Sequence, residues 1–275
     1  VNLMAIGEWT LGWQLYESRF QAPAYHASVR RYSVTDDLPD SMNGERIFLY
    51  GEQGIGDELR FAGMVNEVLD RGGEITLECH QKLVPLFARS FPRARVVEAR
   101  WEPAETGAES FDRYLPTGSL GRFLRADAAL FPRRAGYLTP DVDKAAAMRA
   151  WLDRLGEGPK IGICWRSAMA GHLRSTAYAQ IDDLEPLFKM PGVTLVNLQY
   201  DDATDELERA KNKFGVDVQV CEGLDLFNDL DGAAALTLGL DYVVSANTSV
   251  ACMAGALGVP GAEFRARPIY KSGTI

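Results

Sequence analysis

A glycine-bearing turn with an acidic tip, Gly54-Ile55-Gly56-Asp57, joins an apolar run at 46–50 to an amphipathic stretch from Glu58 to Leu69. Glycines at a strand-to-helix junction let the backbone approach a ligand closely, and the N-terminus of the helix attracts negative charge. An aspartate at this tip suits a general base that removes a proton from a hydroxyl. Spacing alone favours the simpler alternative, in which Asp57 only caps the helix.

The turn lacks the signatures of two common nucleotide-binding loops. A dinucleotide-binding fingerprint needs a further glycine near position 59, where this chain has Leu59. A Walker loop needs Gly-Lys followed by Ser or Thr, which the turn also lacks. Leu59 therefore disfavours an enzyme that binds NAD on the same kind of fold.

A second polar segment, Trp165-Arg166-Ser167, ends a buried apolar run and leads into a polar loop. The carboxyl end of a strand is where α/β proteins place ligand contacts. Arg166 suits bidentate pairing with a diphosphate, and Ser167 suits hydrogen bonding to it. Such donors would stabilise the charge on a departing nucleoside diphosphate. For His172 and Arg174 in the loop, an ordinary solvated surface is the favoured interpretation.

Two further strand ends carry candidate ligand contacts. Asn247, Thr248 and Ser249 lie between a predicted strand and an Ala/Gly-rich helix, where exposed backbone N–H groups suit phosphate binding. Capping of the helix by Asn247 or Thr248 is the alternative, and the two interpretations are compatible. Gln199 ends another predicted strand and suits contact with a base or sugar, but a polar strand end without a ligand fits equally well.

No metal constellation is evident. An Asp-x-Asp pattern placed to hold manganese is missing, and the adjacent pairs Asp182-Asp183 and Asp201-Asp202 fit helix caps better. The four cysteines are too far apart in sequence for a zinc knuckle. Most of them lie in apolar runs, which indicates a reducing compartment, and we expect a cytoplasmic location.

Charge and composition argue against a nucleic-acid-binding protein, a membrane-spanning protein and a signal peptide at the start of the chain. The chain has 275 residues and a net charge of −9, which argues against a nucleic-acid partner. No apolar run reaches the length of a membrane span. The start, Val1-Asn2-Leu3-Met4, does not resemble a signal peptide, and we expect the chain to be a fragment of a longer protein.

Strand-like and helix-like segments alternate in both halves of the chain. This alternation predicts an α/β fold of two Rossmann-like domains, each with a parallel sheet, which we expect to face each other across a shared cleft. The expected organisation is a helical region and linker at 1–44, a first Rossmann-like domain at 45–140, a linker helix at 141–158 and a second Rossmann-like domain at 159–275. Strands are predicted at 46–50, 74–79, 94–98, 114–116, 160–165, 193–199, 216–220 and 241–245.

Residues 1–20 predict a helix, because apolar side chains recur along one face. The Gly12-to-Glu17 run resembles the last helical turns of a tetratricopeptide array, which would need neighbouring repeats to bury its apolar face. The alternative is an ordinary N-terminal helix that packs on the domain.

The Gly51-to-Asp57 segment and its following helix resemble the Glu-Gln-Gly-hydrophobic-Gly-Asp segment of bacterial tetratricopeptide-repeat-linked glycosyltransferases. That family is similar to the ADP-heptose:lipopolysaccharide heptosyltransferases and, more distantly, to protein O-GlcNAc transferases. The remaining segments that carry the resemblance, in family order, are 165–167, 191–193, 198–200 and 243–258.

The resemblance implies a GT-B fold and metal-independent transfer of a hexosyl or heptosyl group from a nucleotide-sugar to a hydroxyl of a protein or glycan. It implies no cofactor beyond the nucleotide-sugar substrate. The acceptor would bind mainly to the first domain and the donor to the second. Asp57 would be the catalytic base, and Gln53, Gly54 and Gly56 would form an acceptor or phosphate loop. The implied donor-site residues are Arg166, Ser167, Gln199, Asn247, Thr248 and Ser249.

Two positions depart from the family pattern. Relatives commonly carry Asp-Thr followed by His in the last motif, where this chain has Asn247 and Cys252. These departures favour an alternative function, a catalytically inactive binding or scaffold protein that keeps the transferase fold. The family also usually continues beyond the point that corresponds to Ile275, so we expect the second domain to be truncated.

Overall fold

The computed structural model describes residues 2–22, 34–99, 111–133, 135–168 and 178–264. The chain divides into two compact units, Val1–Tyr137 and Leu138–Ile275. His172 and Arg174 lie outside the described residues. None of the helices in the described part of the chain combines the length and the apolar character needed to cross a bilayer.

The first unit contains a four-stranded parallel sheet with the order β3-β2-β1-β4. Its central strand is buried almost throughout, and Leu49 pairs with Leu77 on one side and Leu115 on the other. Continuous apolar runs suit strands that are covered on both faces, so these strands were predictable. The strands are β1 (Arg46–Tyr50), β2 (Glu74–Cys79), β3 (Arg95–Glu98) and β4 (Arg113–Pro116).

The helices of the first unit are shorter than predicted. The helix predicted over 1–20 divides at Gly7, whose φ of 87° ends the first turn. The α-helices are α1 (Asn2–Ala5), α2 (Trp9–Tyr16), α3 (Ile55–Ala62), α4 (Val65–Leu69), α5 (Val84–Ser90) and α6 (Gly121–Leu124). Short 3₁₀ helices span Glu17–Gln21, Gln81–Leu83, Thr117–Leu120 and Ala128–Leu130.

A long-range contact divides the helix predicted from Glu58 to Leu69. The hydroxyl of Tyr137 donates to the carbonyl oxygen of Leu59 at 2.7 Å. In a continuous helix that carbonyl would accept from the N–H of Gly63. The Gly63 N–H instead reaches the carbonyl of Arg60, at 3.4 Å, and α3 ends at Ala62.

The second unit repeats the plan with a parallel sheet in the order β6-β5-β7-β8. The strand predicted at 216–220 was wrong: only Gln219 pairs there, in an isolated parallel bridge with Val196. A fourth strand, β8, was not predicted, because its exposed Gly-Ala-Glu-Phe sequence has no apolar run. The strands are β5 (Lys160–Cys164), β6 (Thr194–Asn197), β7 (Tyr242–Ala246) and β8 (Gly261–Phe264).

Helices of the second unit include the segment predicted as a linker. That helix, α7, lies against α10, where the Cδ1 atom of Leu152 leaves no room for a side chain at Gly239. The role of a linker stays a prediction. The α-helices are α7 (Val142–Asp153), α8 (Glu185–Phe188), α9 (Thr204–Phe214), α10 (Leu230–Leu238) and α11 (Ser249–Leu257), and a 3₁₀ helix spans Ile181–Leu184.

Each sheet has one point at which the strand order reverses. In the first unit the chain moves from β1 outward through β2 and β3, then returns to place β4 on the other side of β1. In the second unit β6 lies on one side of β5, and β7 lies on the other. Open parallel sheets bind ligands outside the carboxyl ends of the strands at such a reversal. The relevant edges are therefore the ends of β1 and β4, and the ends of β5 and β7.

Candidate functional site

The turn after β1 places Asp57 in the first turn of α3. Gly54 holds the N-cap position with an extended backbone, and its carbonyl accepts from the N–H groups of Asp57 and Glu58 at 2.9 and 3.0 Å. Asp57 is thus the third residue of the helix and not its cap. It is partly exposed, and a carboxylate there is stabilised by the positive end of the helix dipole.

The neighbouring carboxylate, Glu58, has a different environment. Its carboxyl group lies so close to Gly51 that a Cβ there would come within 2.7 Å of it. One of its oxygens accepts from the backbone N–H of His80 at 2.8 Å. Glu58 therefore links the ends of β1 and β2, which leaves Asp57 as the better-placed general base of the pair.

Glu52 is a buried acidic residue that the sequence analysis did not select. Arg19, in the 3₁₀ helix after α2, donates to both oxygens of this carboxylate, at 3.2 and 2.9 Å. Burial disfavours the charge on Arg19, but Glu52 and Glu17 outweigh that effect and raise its pKa. Tyr16 also contacts the turn after β1, because the side-chain amide of Gln53 donates to the Tyr16 hydroxyl. The sequence offers one signal for Glu52, its position inside the glycine-bearing turn.

In the second unit, Gln199 braces the segment that follows β5. Its side-chain oxygen accepts from the backbone N–H groups of Trp165 and Arg166, each at 3.2 Å. Its side-chain nitrogen donates to the carbonyl of Arg166 at 3.0 Å and to the carboxylate of Asp201 at 2.6 Å. The amide is fully used by these groups, so Gln199 shapes the strand end; direct contact with a base or sugar stays a prediction.

Arg166 extends from the end of β5 towards α9. Its guanidinium group pairs with the carboxylates of Asp201 and Glu206 and donates to the carbonyl of Asp202 at 3.0 Å. Hydrogen bonding to Glu206 is the largest cause of its raised pKa, so the group is permanently charged. The indole N–H of buried Trp165 donates to the same Glu206 at 2.8 Å. Acidic partners thus offset the positive charge that a diphosphate would contact.

Ser167 lies beside an aromatic pair. The hydroxyl of Tyr200, which follows β6, donates to the Ser167 hydroxyl at 3.1 Å. The Tyr200 ring stacks on Phe227, with ring centroids 6.3 Å apart. Burial raises the pKa of Tyr200, so its hydroxyl keeps its proton at neutral pH. A flat, partly exposed aromatic surface beside a hydroxyl pair suits contact with a planar base.

The end of β7 leads directly into the N-terminus of α11. Thr248 is the N-cap residue, and its hydroxyl accepts from the N–H of Val250 at 3.2 Å. Asn247 is exposed and its side chain donates to Glu263. Ser249, the first helical residue, is partly exposed. The thiol of buried Cys164 lies 3.8 Å from the Thr248 hydroxyl, which joins the end of β5 to this helix start.

The predicted site residues therefore form two groups, one in each unit. Gln53, Gly54, Gly56 and Asp57 follow β1 in the first unit. The six predicted donor-site residues follow β5, β6 and β7 in the second unit, around the reversal of strand order. In the part of the chain that the structure describes, no group of three or more His, Cys, Asp or Glu side chains is arranged to hold a metal ion.

A cavity of about 480 Å³ lies elsewhere in the second unit. Its lining includes Leu187, Phe188, Val193 and Thr194, which places it at the amino end of β6. The polar strand ends lie at the opposite edge of the sheet. The cavity and the predicted donor site are therefore separate features.

Comparison with known proteins identifies one curated relative. No family model matches the chain. Protein FlbA of Caulobacter vibrioides is 36% identical over 276 residues, which cover 94% of this chain and 46% of FlbA. The chain thus spans about half the length of that relative.

Solved structures show the fold. A glycosyl transferase family 9 protein from Veillonella parvula superposes with a TM-score of 0.61 at 10% identity, over 81% of this chain and 82% of that one. The E. coli ADP-heptose lipopolysaccharide heptosyltransferase II gives 0.54 at 13% identity, over 79% and 84%. The E. coli heptosyltransferase WaaC with ADP gives 0.50 at 15% identity, over 79% and 86%. The two Rossmann-like units therefore have the GT-B-like fold of these glycosyltransferases, whereas a link to tetratricopeptide repeats or protein O-GlcNAc transferases stays a prediction.

Proposed function

We propose that this chain is the transferase part of a glycosyltransferase that moves a sugar from a nucleotide-sugar to a hydroxyl of a protein or glycan. One observation carries the proposal: polar residues at the ends of β5, β6 and β7 surround the reversal of strand order, on a GT-B-like fold. Structural neighbours named for ADP-heptose or solved with ADP support a nucleotide-sugar as the donor class.

The second unit binds the donor in this proposal. The diphosphate lies at the N-terminus of α11, where backbone N–H groups and the helix dipole attract an anion. Ser249 and Asn247 add side-chain hydrogen bonds. Arg166 exchanges part of its pairing with Asp201 for the diphosphate, and the Tyr200–Phe227 surface contacts the base. No metal ion takes part in this proposal: the helix N-terminus, the hydrogen bonds of Ser249 and Asn247, and the part of Arg166 released from Asp201 stabilise the charge of the leaving phosphate.

The first unit supplies the base. Asp57 takes the proton of the acceptor hydroxyl, and the oxygen of that hydroxyl attacks C1 of the sugar. The bond from C1 to the phosphate oxygen breaks, and its electron pair leaves with the nucleotide. Water in place of the acceptor hydroxyl gives slow hydrolysis of the donor by the same route, which provides an assay when no acceptor is known.

Calorimetry with UDP-, ADP-, GDP- and CMP-sugars, followed by hydrolysis assays on the donors that bind, tests the proposal. We expect Asp57→Asn to keep donor binding and melting temperature while hydrolysis falls about 10²- to 10⁴-fold. Asp143→Asn is the matched control, because Asp143 also lies in the first turn of a helix and is exposed. Full activity of Asp57→Asn would remove Asp57 from the mechanism.

A non-catalytic scaffold is the second candidate. It is favoured by the carboxylates that already occupy Arg166 and by the Asn247 and Cys252 departures. In that case none of the four donors would bind, and the wild-type chain would hydrolyse none of them.

A further inference from the structure

A buried ion pair connects the N-terminal segment of the first unit to the glycine-bearing turn. Arg19 donates from Nε and Nη2 to the two carboxylate oxygens of Glu52, which is a bidentate arrangement. The two side chains are only 9% and 1% exposed. A pair this deeply buried is costly to break, because either partner alone would be an uncompensated charge.

The same arginine also reaches the end of β4. Its Nη2 donates to the hydroxyl of Ser119 at 2.8 Å, and that hydroxyl donates to Glu17 at 2.9 Å. One side chain therefore joins three elements: the segment after α2, the turn after β1 and the 3₁₀ helix after β4. The last two flank the reversal of strand order in this sheet.

The surrounding backbone is shaped for Glu52. A Cβ at Gly118 would lie 1.9 Å from the Glu52 carboxylate, so the present arrangement requires glycine there. The backbone that follows β4 therefore limits where the Glu52 carboxylate can lie. The pair is part of the framework at the end of β4 and does not lie on an adaptable surface.

Tyr16 gives the N-terminal segment a second contact with the turn. Its hydroxyl accepts from the side chain of Gln53, which has the left-handed backbone φ of 67°. A residue with a Cβ adopts that conformation only where its surroundings hold it. Burial and the charge of Glu52 raise the pKa of Tyr16, so its hydroxyl remains a neutral partner.

We propose that Arg19 is a positioning residue for the turn at 51–57, with Tyr16 as its partner. The segment 9–21 thus contributes to the acceptor-side site. This inference rests on the proposed function and deepens it. Arg19 and Tyr16 act through Glu52 and Gln53, and they hold the start of α3 so that Asp57 meets the acceptor hydroxyl in one orientation.

A double variant tests this role without leaving a buried charge. Arg19→Met with Glu52→Gln removes both charges and keeps similar volumes. The matched control is Arg125→Met with Glu67→Gln, because Arg125 is buried and forms a second two-pronged pair in the same unit, with the partly exposed Glu67. Tyr16→Phe is a milder second variant that removes one partly exposed hydroxyl.

Amide hydrogen exchange gives a readout that needs no donor. The N–H groups of Asp57 and Glu58, held by the Gly54 carbonyl, should exchange about tenfold faster or more in the double variant and in Tyr16→Phe. In the control pair their exchange should match the wild type. Unchanged exchange in both test variants, or an equal increase in the control pair, would overturn the positioning role.

Donor hydrolysis separates positioning from a general loss of structure. We expect kcat to fall about tenfold or more in the double variant, while the KM for the donor and its calorimetric Kd stay within about twofold. A rise in KM or Kd that matches the fall in kcat would also contradict the inference. A wild-type chain that binds no donor would refute the proposed function instead, and hydrogen exchange alone would then decide the role of Arg19.

Discussion

At the residue scale, two adjacent carboxylates have different environments, and we propose different roles for them on that basis. Glu58 lies against Gly51 and accepts from the backbone of His80, whereas Asp57 lies partly exposed in the first turn of α3. Enzymes often assign the functions of paired carboxylates by environment in this way. The sequence points to Asp57 through its place after two glycines, and its role as a base stays a prediction. The sequence did not identify Arg19, because no pattern in it indicates which carboxylate an arginine 33 positions away will contact.

Arg166 is the residue on which the active and inactive interpretations differ most. We expect Arg166→Met to weaken donor binding about tenfold or more, since a hydrogen-bonded charge at the phosphate is lost. The free energy of unfolding should fall by about 1 kcal/mol or less, because the ion pairs are partly exposed. Calorimetry and thermal denaturation measure the two effects.

Arg209→Met is the control for that experiment. Arg209 lies on α9 and pairs with a carboxylate, as Arg166 does. Its partner is Asp182, however, and its side chain is exposed. Donor affinity should not change in this variant. Equal donor affinity in Arg166→Met and the wild type would remove Arg166 from the donor site.

Cys164 illustrates a nucleophilic side chain that burial makes inert. Burial raises the pKa of its thiol to about 11. The thiolate fraction at pH 8 is therefore roughly one in a thousand, and reaction with iodoacetamide should be very slow in the folded protein. Reactivity should rise only as the pH approaches 11 or when urea unfolds the chain. Mass spectrometry of the labelled peptides measures this, and rapid labelling of Cys164 at pH 8 would show that the end of β5 opens.

At the element scale, apolar runs predicted most strands, but contacts from distant residues set the helix limits. The hydroxyl of Tyr137 divides the helix predicted after the glycine-bearing turn, and no local pattern reveals a contact that spans 78 positions. The segment at 216–220 alternates like a strand but lies at an edge and pairs only through Gln219. Strand β8 was missed for the opposite reason, since it is paired but has no apolar run.

Gly118 is a position where the neighbouring element dictates the residue. We expect Gly118→Ala to destabilise the first unit by about 1–3 kcal/mol, because the new methyl group would overlap the Glu52 carboxylate. Urea unfolding monitored by tryptophan fluorescence measures the change.

Gly255→Ala should raise the free energy of unfolding, whereas Gly118→Ala should lower it. Gly255 lies inside α11 with open space where its side chain would be, so alanine should stabilise that helix by about 0.5–1 kcal/mol.

If Gly118→Ala left the free energy of unfolding unchanged, the Glu52 carboxylate would have to move easily. That result would also weaken the positioning role of Arg19.

At the scale of the whole molecule, the same plan occurs twice. Each unit has a parallel sheet whose strand order reverses beside its first strand, and each places its polar residues at that reversal. Alternating apolar and amphipathic segments made this plan predictable from the sequence. The identity of the sugar, the base and the acceptor was not predictable, because these depend on side-chain geometry at the strand ends. The curated relative FlbA offers little help here, since the chain spans only about half of its length.

We propose above all that the polar end of the second sheet binds a nucleotide-sugar. A crystal structure with a bound nucleoside diphosphate would test this proposal. We expect phosphate oxygens at the N-terminus of α11, within hydrogen-bonding distance of Ser249 and the Arg166 guanidinium. A nucleotide bound instead in the cavity beside Leu187 and Val193, or no bound nucleotide at millimolar concentration, would contradict it.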